Sequence, residues 1–122
     1  MPSWAASAIT IPLLTVGLLL SGCSAESGGS DRNTDHVTIK ITERDGRIDP
    51  SGDTVEVDQG QDITLVVSSD AEDEIHVHSE PEHEFPITGR GVQRITFSID
   101  SPGTYEVESH ELDVVIVKLQ VS

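Results

Sequence analysis

His76 and His78 stand two residues apart, and further along the chain Glu108 and His110 repeat that spacing. On an extended strand, residues two apart project to one face, so each pair offers its side chains together. Imidazole is an effective ligand for Cu(II) and Zn(II), and carboxylate oxygen completes sulfur-free sites of this kind. The chemistry in question is therefore the holding of a divalent metal ion. His76, His78 and His110 are the candidate imidazole ligands. Glu108 is a fourth ligand or an orienting neighbour, and His83 is an additional candidate. Asp70, Glu72, Asp73, Glu74, Glu80, Glu82 and Glu84 lie in and around the first pair and would concentrate cations there.

The elements that must position these side chains are strands. Val37, Ile39 and Ile41 alternate with Thr38, Lys40 and Thr42, the signature of a half-buried strand. Val55/Val57, Ile63/Leu65/Val67, Ile75/Val77, Ile95/Phe97/Ile99, Tyr105/Val107 and Val115/Val117/Leu119/Val121 repeat the pattern, with turn residues such as Arg44-Asp45-Gly46-Arg47 between them. No stretch holds a helical period. About seven short strands predict an all-β sandwich, antiparallel or mixed, over residues 36–122, its core built mainly of Val, Ile and Leu. The same alternation fixes direction. If Ile75 and Val77 point inward, His76 and His78 point outward; if Tyr105 and Val107 point inward, Glu108 and His110 point outward. Two readings fit that parity: a divalent-metal site on the sheet, or a solvated cluster of acids and histidines. A bulge at the sandwich end would turn one imidazole inward.

Cys23, the sole cysteine, follows an apolar run from Ala8 to Leu20 that suits a signal-peptide core and is short for a membrane span. Leu20-Ser21-Gly22-Cys23 resembles the lipobox of bacterial lipoproteins, although residues 1–22 lack the usual Lys or Arg. That resemblance implies a signal peptide over 1–22 and a diacylglyceryl group on Cys23. It places the protein at the cell membrane, anchored through the lipid on the extracytoplasmic face. Residues 23–35 read as the lipidated cysteine and a flexible tether. With a single cysteine no disulfide framework exists. The formal charge of −15 lies wholly beyond residue 22. It gives no electrostatic reason to bind nucleic acid or anionic lipid, and favours cations or a basic protein partner.

Two segments carry a further resemblance. Residues 52–78 (GDTVEVDQGQDITLVVSSDAEDEIHVH) and 97–110 (FSIDSPGTYEVESH) are similar, in order and spacing, to the cupredoxins. The resemblance implies a cupredoxin-like Greek-key β-sandwich in which the strands bearing His76-x-His78 and Glu108-x-His110 lie side by side in one sheet. It also places the family's copper-binding cysteine near Ser109. Blue copper needs a thiolate, two imidazoles and usually a weak axial thioether, and residues 24–122 contain neither cysteine nor methionine. The chain is thus read as a cupredoxin-like domain without the type 1 copper cysteine, not as an electron carrier. The expected function is extracytoplasmic metal binding, with copper(II) the first cofactor candidate. The alternatives are a metal-free acidic interaction module at the cell surface, or an accessory domain of a metal-uptake or respiratory complex. Ser109 and His110 point to opposite faces and cannot pair as nucleophile and base, so no enzyme is expected.

Overall fold

A computed structural model describes residues 36–122; the signal peptide, Cys23 and the tether expected at 23–35 lie outside the described residues. The chain forms β1 (Val37–Arg44), β2 (Arg47–Asp49), β3 (Asp53–Val57), β4 (Ile63–Ser69), β5 (Asp73–Val77), β6 (His83–Ile87), β7 (Val92–Phe97), β8 (Gly103–Ser109) and β9 (Val114–Val121). They make two sheets, ordered β2-β1-β4-β7 and β3-β9-β8-β5-β6. Most neighbours are antiparallel, but β1 pairs parallel with β4, and β3 with β9. This is the all-β sandwich that the alternation predicts. It has two strands more than the apolar sets reveal. β2 is only three residues long, and β6 contains Pro86, which lacks an N–H and is tolerated because β6 is an edge.

The core lies between the sheets and is aliphatic apart from Phe97: Ile39, Ile41, Val57, Ile63, Leu65, Val67, Ile75, Val77, Ile87, Ile99, Val107, Ile116, Val117, Leu119 and Val121 are all buried. Each such side chain contributes about 1.5–3 kcal/mol when fully buried, and β-branched residues fit the pleated surface. The predicted turn after β1 is real. Asp45 and Gly46 both take positive φ (52° and 69°), as a two-residue hairpin requires. Gly89 serves a different need: a Cβ there would lie 2.5 Å from the backbone of Ala71. Only glycine lets the β6–β7 turn close against the β4–β5 turn, which sets β6 beside β5.

One expectation is corrected in β9. Val107 pairs with Val117 but Glu108 with Val115, so Ile116 is an extra residue in a bulge. Ile116 and Val117 are both fully buried, and Val115 is only half-buried. The bulge lies in β9 and leaves the parity of β8 untouched. It therefore turns no imidazole inward.

Candidate metal centre

β5 lies between β6 and β8, and its register sets the site. His76 is opposite Glu84 on β6 and opposite Glu108 on β8. Because Ile75 and Val77 are buried, His76 faces outward, and His78 continues that face just beyond the strand. β8 behaves alike: Val107 and Ser109 are buried, while Glu108 and His110 face out. The backbone N–H of His78 donates to the Glu106 carbonyl, and that of His110 to the Glu74 carbonyl (both 2.9 Å), which pins the two histidines at opposite ends of β5, on either side of His76.

His76 is the centre of the cluster. Its Nε2 is 2.8 Å from Glu74 Oε1 and 3.5 Å from Glu84 Oε1, and its Nδ1 is 3.6 Å from Glu82 Oε1. The His110 ring stacks on it at 5.4 Å between centroids, and the His78 ring meets it edge-on at 5.9 Å. His78 Nε2 in turn lies 2.6 Å from Glu108 Oε2, with Glu82 Oε1 3.6 Å from its Nδ1. The hydrogen bond to Glu74 holds the His76 pKa above its ordinary value; partial burial opposes this, and the charges of Glu84, Glu74 and Glu82 reinforce it.

Glu74, His76 and Glu84 each offer a ligand atom, all within 4.8 Å of one another. Donors about 2.0–2.1 Å from an ion stand about 2.9 Å apart at right angles and about 3.4 Å apart in a tetrahedron. The 2.8 and 3.5 Å separations at His76 match those spans. The imidazole is 19 % exposed and the Glu84 carboxylate 59 %, so an ion would be held against the sheet with its outer side open to water.

The structure thus brings His76, His78, Glu108 and His110 onto one face. It places His83 elsewhere. His83 pairs with Val77 on the inward side of β6 and packs against Phe85 and Phe97, with ring centroids 5.8 and 5.5 Å away. Glu74 and Glu84 are the ligand candidates that the sequence pattern leaves among the general acids. Glu74 repeats the two-residue spacing before His76, and that signal was available. Glu84 becomes visible only once β6 is known to pair with β5.

The inner side of the same strand ends holds no metal-site chemistry of the blue-copper kind. Ser109 is fully buried and its hydroxyl donates to Asp73 Oδ2 at 2.6 Å. The other Asp73 oxygen accepts from the backbone N–H groups of Glu74 (2.7 Å) and Glu111 (2.9 Å), and Ser109 Oγ accepts from Leu112 N–H at 3.2 Å. A hydroxyl and a carboxylate, already bound to each other and to the backbone, do not fit type 1 copper.

No protein-family model matches the chain, and no curated protein matches its sequence. Solved structures do match. One is auracyanin A, described as a "blue" copper protein from the green thermophilic photosynthetic bacterium Chloroflexus aurantiacus. It superposes with a TM-score of 0.54 at 17 % identity, over 72 % of this chain and all of that one. A methionine-to-alanine variant of amicyanin in its Cu(I) form gives 0.53 at 13 % identity, over 70 % of this chain and 82 % of that one. A reduced amicyanin variant gives 0.52 over the same shares. The fold is that of the cupredoxins. At these identities the likeness extends to the fold alone.

Proposed function

We propose that this protein is a membrane-anchored, extracytoplasmic, cupredoxin-like domain that binds a divalent metal ion on the outer face of its five-stranded sheet. His76 is the central ligand, Glu74 and Glu84 share its ion, and His110, His78 and Glu108 complete the donor set. The observation that carries the reading is the convergence of Glu74, His76 and Glu84 within 4.8 Å, with the His110 ring stacked on His76. Copper(II) is the first candidate because it tops the divalent affinity series for nitrogen and oxygen donors. The open outer side favours an ion that is held and passed on over one that is sealed in. The role is binding, not catalysis, since the Ser109 hydroxyl is buried on Asp73 and His110 faces the opposite way. Anchoring rests on the lipobox-like Leu20-Ser21-Gly22-Cys23.

Calorimetric titration with Cu(II) tests this reading. One ion per chain is expected, with an affinity that changes little with salt and falls at least tenfold (about 1.4 kcal/mol) in His110→Ala. Unchanged binding in both His110→Ala and His76→Ala removes the site. A second reading, an acidic module for a basic partner or for a larger metal-uptake or respiratory complex, is favoured by the density of carboxylates on the same face. It predicts association that weakens sharply as ionic strength rises.

A further inference from the structure

The net charge of −15 conceals a division between the two faces of the sandwich. On the five-stranded sheet, outward strand positions carry Glu56, Glu74, Glu84, Glu106 and Glu108, and the one cation among them, Lys118, is paired with Glu106 at 3.7 Å. The four-stranded sheet is the reverse. Its outward strand positions carry Lys40, Arg44, Arg47 and Arg94, with Asp49 as the acid among them. Lys40 and Arg94 sit in one row, flanking Val66 across β1, β4 and β7. Arg44 and Arg47 are directly opposite each other on β1 and β2, a pairing of like charges that costs stability. Among the described residues none of these four makes an ion pair, in a chain where acids outnumber bases 22 to 7. Val92, 61 % exposed, stands on the same face beside Ser68.

We infer that the outer face of the β2-β1-β4-β7 sheet docks on the anionic surface of the lipid bilayer and turns the acidic histidine face away from it. This inference rests on the anchoring part of the proposed function. Val37, the first residue of β1, is fourteen residues from Cys23, so the tether spans at most about 50 Å and keeps the face at high effective concentration near the lipid. Lys or Arg near an anionic leaflet contributes about a fivefold gain in binding per charge. The excess negative charge does not oppose this strongly. Packed sheets are about 10 Å apart, beyond a Debye length of about 8 Å at physiological salt, and the carboxylates project further still. An acidic surface therefore attracts one side of the domain and barely senses the other. Val92 and Val66 supply apolar contact between the cations.

The test uses the lipidated chain in vesicles, with a donor dye at Thr42→Cys on the basic face or at Gln120→Cys on the acidic face, and an acceptor dye on the headgroups. With phosphatidylglycerol in the vesicles, transfer from position 42 should exceed that from position 120. The gap should close in high salt, in pure phosphatidylcholine, and in the triple change Lys40→Gln, Arg44→Gln, Arg94→Gln. Equal transfer from both positions on phosphatidylglycerol overturns the inference. Protection of position 42 by poly-glutamate, with no response to lipid, also overturns it and assigns the face to an acidic protein segment. If the chain fails to float with phosphatidylcholine vesicles, the anchoring reading fails separately. Salt-sensitive flotation with phosphatidylglycerol then still supports the face, and its absence overturns it.

Discussion

The ends of β5 and β8 present two surfaces built from alternate residues of the same strands, and they differ in every respect that matters for metal chemistry. Inward, Asp73 and Ser109 are buried and bonded to each other and to the backbone, so no donor is left to exchange. Outward, His76, His78, Glu74, Glu84 and Glu108 hydrogen-bond or face one another in partly exposed positions, where an ion can replace a shared proton. Strand parity alone separates a structural lock from the proposed binding surface. The cupredoxin neighbours share the sandwich, but a shared fold does not carry a function, so the site has to be argued from this chain's own residues.

The comparison can be broken most sharply from the inside. Asp73→Ala removes an acceptor that serves one hydroxyl and two backbone N–H groups. Stability should fall by about 3 kcal/mol or more, read from the urea midpoint, and a change below about 1 kcal/mol would show that the lock is not structural. On the outside, His76→Ala should leave the urea midpoint within about 0.5 kcal/mol while weakening Cu(II) binding tenfold or more. Equal damage to stability and binding would erase the distinction between the two surfaces.

Two smaller effects concern protons. Glu43 is buried beneath the same end of the sandwich, where Ser69 donates to it at 2.8 Å. Desolvation raises its pKa; the Ser69 bond opposes this, and the charges of Asp73 and Asp70 add to it. A carboxyl whose folded pKa is raised stabilises the fold fully below its unfolded pKa, and that contribution is lost as pH rises through the folded value. Glu43→Gln should therefore be more stable than the parent at neutral pH, with the advantage shrinking as pH falls toward 4.5, the ordinary value. A pH-independent difference would contradict the burial argument. For His76 the raised pKa means that protons would compete with the proposed metal from above the ordinary histidine range. Glu74→Gln should bring the His76 titration, followed by NMR, down toward 6.5. An unmoved titration would assign the shift to the other carboxylates.

Much of this was legible in the residues. The alternation of Val, Ile and Leu gives the sandwich, and Ile75/Val77 with Tyr105/Val107 give the outward direction of the histidines, because a period of two admits only one such assignment. What escaped has identifiable causes. β6 mixes His83, Glu84 and Pro86 with only Phe85 and Ile87, so its apolar signal is weak, and Glu84 was lost with it. The Ile116 bulge shifts parity in β9, and consecutive apolar residues from Val114 to Val117 cannot reveal where the extra residue falls. The lock between Asp73 and Ser109 joins residues far apart in sequence. The opposed charge of the two faces depends on which strands share a sheet, which overall composition cannot register.

The central claim is that a divalent ion binds on the outer surface of β5, β6 and β8 through His76. Electron paramagnetic resonance of the Cu(II)-loaded protein, beside its His76→Ala variant, tests it most directly. A single stoichiometric signal with nitrogen coordination, lost in His76→Ala and with none of the intense colour of a thiolate site, is the predicted result. Weak binding of several ions that persists unchanged in His76→Ala would contradict it, and the outer face would then be a solvated cluster of acids and histidines.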